Sequence, residues 1–189
     1  MTVKDSFYRK CLNQTVMFLR LSAMGAIHII QTVIQHGLMV GRSKLFLGKY
    51  SGTLNKNGRL LTPASYGNQL SGGVYITQGF ERNLLVLPPT AFEEIYRRVC
   101  SQNIADPLAR MLQRLMLGTA SLLESGAGGA ITIPEELRSF AGLSHGVLLV
   151  GQGDYFEIWQ PELWESQEIQ LRDARANASR FSTLTVTTR

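Results

Sequence analysis

The sequence is poor in residues that build covalent or metal-bound frameworks. Its 189 residues include only two cysteines, Cys11 and Cys100, which lie far apart and form no CxxC pair. A disulfide framework or a zinc site is therefore not expected, and this cysteine content fits a reducing, cytoplasmic compartment.

An uninterrupted apolar run long enough to cross a membrane is also missing. The most apolar stretch, residues 16–40, is broken by Arg20 and by several histidines and glutamines, whereas a transmembrane helix needs about twenty largely apolar residues. Its helical spacing favours an amphipathic helix, and the alternative is a leader that precedes an internal start at Met39. We interpret residues 1–44 as an N-terminal extension of one of these kinds and expect no membrane partner.

The sequence contains no recognisable catalytic machinery. Its third histidine, His145, lies in a Ser-His-Gly turn, and the histidines form no Ser/His/Asp or Cys/His arrangement. The glycine-rich segment at residues 126–129 lacks the Gly-Lys-Ser/Thr ending of a P-loop and the third glycine of a Rossmann fingerprint. We therefore predict a protein that is not an enzyme, with no cofactor, no metal site and no small-molecule substrate.

The charge balance indicates an acidic partner. The formal net charge is +5 and the pI is about 9.5, which favours nucleic acid. Residues 41–70 contain five basic residues and no acidic one. Two of them, Lys56 and Arg59, flank an Asn-Gly turn signal, so both can project from one edge of a hairpin. The alternatives are a solvated basic face and an arginine that braces the fold.

Such a loop can contact phosphates or the edges of bases. We therefore predict double-stranded DNA as the partner. The predicted DNA-contacting residues are Arg59, Lys56, Asn55, Asn57, Lys49, Lys44 and Arg42.

From residue 45 onward the sequence contains two similar segments, called passes below. Each has a strand that ends in proline, at Pro63 or Pro134, then two apolar strands and a helix that follows Pro89 or Pro161. We expect Thr90 to cap the first of these helices. A repeat of this kind is a fold-level signal.

A helix with clear start signals is predicted between the two passes. Asp106 is a favourable N-cap and Pro107 a favourable first helical residue. Apolar residues at helical spacing follow and are expected in the core: Leu108, Met111, Leu112 and Leu115. After Trp164 the composition becomes polar, which indicates that the helix continues to about residue 178 and that a loose tail follows. The predicted boundaries are 1–44 for the extension, 45–100 and 118–165 for the two units, 101–117 for the connecting helix, and 166–189 for the C-terminal part.

An ordered set of strings resembles the MraZ family of bacterial regulators over roughly residues 45–164. They are Phe46-Leu47-Gly48, Leu54-Asn55-Lys56-Asn57-Gly58-Arg59-Leu60, Asp106-Pro107, Leu115-Met116-Leu117-Gly118, Leu137-Arg138, Ala141-Gly142-Leu143 and Val150-Gly151-Gln152 with Phe156-Glu157-Ile158-Trp159. The resemblance implies an α+β fold: a duplicated AbrB-like swapped-hairpin β-barrel with flanking helices. It also implies ring-shaped homo-oligomers, association with the nucleoid, and regulation of the cell-wall and division gene cluster through repeated upstream DNA sites.

The family carries an Asp-x-x-x-Arg signature in each unit, and this sequence departs from it. Asn55 replaces the first aspartate while Arg59 is kept, and Gly126 and Ala130 occupy the two positions in the second unit. Asn55 can still accept a hydrogen bond from the Arg59 guanidinium, without the charge-assisted pairing of a carboxylate. We therefore hypothesise that the second unit no longer contacts DNA. The alternative function is an oligomeric assembly protein with weakened or lost DNA binding.

Overall fold

The computed structural model describes residues 45–182 and 184; the predicted extension, with Arg42 and Lys44, lies outside them. The strands in this range are β1 (Lys49–Thr53), β2 (Arg59–Leu61), β3 (Val74–Gln78), β4 (Leu84–Leu87), β5 (Ser121–Leu123), β6 (Ala130–Thr132), β7 (Gly146–Gly151) and β8 (Phe156–Trp159). The helices are α1 (Ala64–Gly67), α2 (Pro89–Cys100), α3 (Pro107–Met116), α4 (Glu135–Phe140), α5 (Pro161–Arg172) and α6 (Ala174–Phe181), with a 3-10 turn at Ala127–Gly129. None of these helices has the length and apolar character that a membrane crossing requires.

The strands form two antiparallel sheets. Six strands follow the order β1-β7-β8-β4-β3-β5, and β2 pairs with β6 in a separate two-stranded sheet. The larger sheet is open, with β1 and β5 as its edges. The mixed α and β composition with antiparallel strands agrees with the predicted fold class, but strand pairing does not close the larger sheet into a barrel.

Strand pairing interleaves the two halves of the chain. The first half supplies β1–β4 and the second supplies β5–β8. Exchanging each strand with its counterpart (β1 with β5, β3 with β7, β4 with β8) only reverses the order of the six-stranded sheet. The first strand of each half pairs with the other half: β1 with β7, and β5 with β3. The sequence repeat is therefore also a repeat of strand topology.

One main core is filled from both halves. Buried side chains of the first half, such as Phe46, Leu60 and Tyr66, share it with Ile131 and Phe156 of the second. Phe46, Tyr66 and Phe156 pack with ring centroids 5.0 to 5.2 Å apart, in the tilted and edge-on geometries that aromatic rings prefer. Because the core is shared, neither half buries its apolar strands alone.

Prolines and two aspartates define the helix starts. Asp106 caps α3, and its side chain accepts a hydrogen bond of 2.8 Å from the backbone N–H of Leu108, as predicted. The prediction for Thr90 is wrong, because α2 begins two residues earlier than a Thr90 cap requires, at Pro89, with Pro88 in the cap position. Proline is favourable at the first helical position because it has no N–H to leave unpaired.

The connecting helix departs from the prediction on its apolar stripe. Met116, Leu112 and Leu117 pack in a second, smaller cluster against β4 and α2. Leu108 and Met111, however, are 67% and 60% exposed. Their assignment to the core is therefore wrong, because the buried residues of α3, Ala109 and Met116, lie on a different face of the helix from Leu108 and Met111.

The helical part of the C-terminal region extends further along the chain than predicted. The helix after Pro161 is interrupted at Asp173, whose side chain accepts a hydrogen bond from the Ala176 N–H and so begins α6. This second helix ends at Phe181. Residues 179–181, expected in the loose tail, are thus its last residues.

Candidate nucleic-acid interface

The loop between β1 and β2 is a tight turn that presents polar and basic side chains. The backbone N–H of Asn55 donates to the Arg59 carbonyl at 3.0 Å, and the Gly58 N–H donates to the Asn55 carbonyl at 2.9 Å. Gly58 has a φ of +76°, in the left-handed region that glycine adopts most readily. Asn55, Lys56, Asn57 and Arg59 are all exposed. The structure thus brings together the four predicted contact residues of this loop, which we call the first loop (residues 55–59).

The Asn55 side chain organises the backbone of the first loop. Its Oδ1 accepts hydrogen bonds from the N–H groups of Asn57 at 3.0 Å and Arg59 at 2.9 Å. The expectation that it accepts from the Arg59 guanidinium is therefore wrong, because two backbone amides already occupy the oxygen. Asparagine at this position fixes the turn through its short side chain, as is common for Asx turns.

The corresponding turn of the second half, residues 126–130, keeps the same backbone pattern and is called the second loop below. Gly126 N–H donates to the Ala130 carbonyl at 2.8 Å, and Gly129 N–H donates to the Gly126 carbonyl at 3.1 Å. Gly129 has a φ of +77°, matching Gly58. The second loop retains the turn but carries no side chain larger than a methyl group.

The two loops lie close together because β2 and β6 pair over only three residues. Arg59 lies opposite Thr132, and Leu61 lies opposite Ala130, so the starts of the two strands are about 7 Å apart along the ladder. The Arg59 side chain spans this distance: its Nη2 lies 3.8 Å from the point where a Cβ on Gly126 would be. The guanidinium of the first loop therefore lies against the second loop.

Open grooves flank Arg59 on two sides. One, of about 390 Å³, is lined by Thr53, Leu54, Asn55, Arg59, Leu61 and His145. The other, of about 300 Å³, is lined by Arg59, Glu124, Ser125, Gly126, Ala130 and Thr132. Both grooves contain residues of each half, so the surface around Arg59 is shared by the two units.

Sequence reasoning missed two basic side chains of the second half that lie beside the first loop. The Nε of Arg138, on α4, donates to the Ile133 carbonyl at 3.1 Å and lies 2.7 Å from the point where a Cβ on Gly58 would be. His145 is exposed and lines a groove with Asn55, and its carbonyl accepts a hydrogen bond of 2.8 Å from the Leu54 N–H. No local sequence signal places them there, because their position depends on pairing between the two halves.

Lys49 does not join this surface. It begins β1, about 13 Å along the strand from the end that leads into the first loop. Its Nζ forms an ion pair of 2.5 Å with Glu168 of α5 and lies 5.8 Å from the centre of the Trp164 ring. A DNA contact by Lys49 stays a prediction, separate from the first loop.

The structure therefore presents an exposed basic turn on a two-unit fold of antiparallel strands. A sequence model described as "MraZ protein, putative antitoxin-like" matches the chain twice, over residues 45–115 and 116–184. Transcriptional regulator MraZ of Roseiflexus castenholzii is 39% identical over 138 residues, which are 73% of this chain and 94% of the relative. Transcriptional regulator MraZ of Thermomicrobium roseum is 34% identical over 141 residues, 74% of this chain and 99% of the relative.

The chain belongs to the MraZ family. The predicted resemblance is thereby confirmed, and so is its division into two units that each match the family. Because this is a family of transcriptional regulators and not of enzymes, the prediction of a non-enzymatic protein is also confirmed.

Proposed function

We propose that this protein is a sequence-specific DNA-binding transcriptional regulator of the cell-wall and division gene cluster. It binds repeated upstream sites as a ring-shaped homo-oligomer. It acts in the cytoplasm, in association with the nucleoid. The main contact is made by Arg59, Lys56, Asn55 and Asn57 of the first loop.

The observation that carries this proposal is the exposure of two cations on a turn of fixed backbone. Lys56 and Arg59 are exposed, and four hydrogen bonds within residues 55–59 hold the turn between them. A preorganised basic turn presents its charges to phosphates without first ordering the loop, which lowers the entropic cost of binding. An arginine beside an asparagine can also read base edges in the major groove.

We further propose that the two sheets together form an AbrB-like swapped-hairpin barrel. The hairpin of β1 and β2 pairs on both of its strands with the second half, through β7 and β6. Side chains from all four of these strands fill the main core. This crossed arrangement supports the duplicated barrel even though the larger sheet is open.

Self-assembly into a ring is supported by an apolar surface on α2, α3 and the segment between them. Tyr96, Ile104, Leu108 and Met111 are 49% to 69% exposed there. Large apolar side chains that cluster on a protein surface often mark an interface with another protein chain. Several first loops on one ring could bind several DNA repeats at once, which multiplies affinity through effective concentration.

A titration of the full chain tests the proposal. Upstream DNA of its own gene and scrambled DNA of equal length are compared at several salt concentrations, with one and with several repeats. We expect selective binding that strengthens with repeat number and weakens steeply with salt, because neutralised phosphates release counterions. Equal affinity for both DNAs would contradict sequence-specific regulation.

An assembly protein with weakened or lost specific DNA binding is the alternative. Two observations favour it: the second loop has no basic side chain, and four large apolar side chains of α2, α3 and the segment between them are exposed. This alternative predicts an oligomer of unchanged mass that binds all DNA weakly and does not respond to substitution of Arg59.

A further inference from the structure

His145 lies at the entrance to the first loop, although it belongs to the second half of the chain. Its carbonyl accepts a hydrogen bond of 2.8 Å from the Leu54 N–H, and Leu54 directly precedes the first loop. The next residue, Gly146, pairs with Thr53 in the ladder of β1 and β7. The pairing of the two halves therefore fixes the backbone of His145 beside the first loop.

The side chain of His145 is exposed and shares a groove with Arg59. Asn55 of the first loop lines the same groove, and the other lining residues are Thr53, Leu54 and Leu61. Among the residues that the structure describes, no carboxylate lines this groove. A DNA phosphate that enters it meets a guanidinium from the first half and an imidazole from the second.

The charged groups on the loop side of His145 are cations. Arg59 lines the groove, Lys56 is the second cation of the first loop, and Arg138 of α4 lies beside Gly58 of that loop. Lys49 begins β1 at the end remote from the first loop. These cations favour an anionic ligand over a cationic one.

The acidic residue that follows on α5 lies outside the groove. Pro161 Cγ is 3.9 Å from the point where a Cβ on Gly146 would be, so the start of α5 lies behind the start of β7. Glu162 comes next on α5, but it is exposed and is not a lining residue of the groove. Within residues 45–182, none of the ion pairs includes His145. A positive charge on the imidazole is therefore available to a ligand in the groove.

We propose that His145 is a DNA-contacting residue of the second half, and that its protonated imidazole donates to a phosphate that Arg59 also contacts. This inference rests on the proposed function, since it adds a contact to the same surface. Phosphate oxygens form their strongest hydrogen bonds with charged donors. An imidazole gains its charge as the pH falls from about 8 to about 5, so DNA binding tightens over this range. The hypothesis that the second unit has lost its DNA contact then holds for the second loop alone.

His145→Gln and His145→Lys, made in the full chain, form the test. Glutamine keeps a hydrogen-bond donor but is never charged, whereas lysine stays charged across the range. With upstream DNA, we expect the unsubstituted protein to bind about fivefold more tightly at about pH 6 than at about pH 8. Its salt slope should be larger at the lower pH by up to about one. His145→Gln should keep the weaker affinity at both pH values, and His145→Lys the tighter one.

Two control variants separate this contact from other effects of charge. The other histidines of the sequence, His28 and His36, lie outside the described residues, and replacing both by glutamine should preserve the pH dependence. Ala178→Lys, at an exposed position on α6, adds a charge away from the groove and should tighten binding at about pH 8 less than His145→Lys does. An equal effect of the two added lysines would overturn a contact at position 145.

The same titrations distinguish failure of this inference from failure of the proposed function. If the unsubstituted protein binds upstream and scrambled DNA equally at both pH values, the proposed function fails, and the contact fails with it. If binding is selective but His145→Gln retains the full pH dependence, or the unsubstituted protein shows none, only the contact by His145 is overturned.

Discussion

Replacing Gly58 by alanine should destabilise the protein more than its exposed surroundings suggest. Gly58 lies in the first loop with a φ of +76°. The new Cβ would lie 2.7 Å from both the Ile133 carbonyl oxygen and Arg138 Nε. The Arg138 side chain can move, but the Ile133 carbonyl belongs to the backbone next to β6 and also accepts the Arg138 hydrogen bond.

The magnitude follows from two separate costs. A left-handed conformation costs an L-residue about 1–2 kcal/mol, and forcing an atom into packed surroundings costs about 1–3 kcal/mol. We therefore expect the free energy of unfolding to fall by about 2–5 kcal/mol. For a chain of this size the melting temperature should fall by about 5–15 °C.

Thermal melts and urea titrations at one protein concentration measure the change, with Gly126→Ala as the matched control. Gly126 has a φ of −76° and no neighbour closer than 3.5 Å to its Cβ position. Alanine there should leave the melting temperature unchanged or raise it slightly, because it reduces the entropy of the unfolded chain. A Gly58→Ala variant as stable as Gly126→Ala would refute the described geometry of the first loop.

Three further predictions follow from other parts of the molecule. Burial raises the pKa of Glu157 above its usual value of 4.5. The protonated side chain therefore contributes to stability below pH 4.5, and this contribution is lost as the pH rises through the folded-state pKa. Glu157→Gln, which retains an acceptor for Trp159 Nε1, should therefore melt above the unsubstituted protein at neutral pH and lose this advantage below about pH 4; equal melting temperatures at neutral pH would contradict it. Leu108→Asp, at a site 67% exposed, should lower the oligomer mass in light scattering while the protomer keeps its circular dichroism spectrum; unchanged mass would exclude this side chain from the subunit interface. Lys56→Ala should reduce the salt slope of DNA binding by about one, and Lys49→Ala should reduce it less, because Lys49 pairs with Glu168; equal effects of the two variants would show that this ion pair does not limit a DNA contact by Lys49.

Local sequence signals predicted the elements that depend on neighbouring residues. The Asn-Gly signal predicted the first loop, and Asp106-Pro107 predicted the start of α3. The two apolar strands of each pass, β3 with β4 and β7 with β8, also follow in the predicted order. In each of these, a turn, a cap or an apolar run is sufficient to specify the conformation.

The features that sequence reasoning missed depend on contacts between the halves. The apolar spacing of Leu108 and Met111 indicates a face of α3, but it does not reveal whether this chain covers that face. The positions of Arg138 and His145 beside the first loop, and of Arg59 against Gly126, arise from pairing of β1 with β7 and of β2 with β6. No periodicity in one sequence predicts a partner strand about 70 to 100 residues away.

The most direct test of the central claim is the selectivity of the full chain for upstream DNA over scrambled DNA, measured for the unsubstituted protein and for Arg59→Ala. Arg175 on α6, exposed and outside the loop surface, supplies the matched control. We predict that Arg59→Ala removes the selectivity and that Arg175→Ala keeps it. Selectivity that survives Arg59→Ala, or that was absent from the start, would contradict a regulator that reads DNA through its first loop.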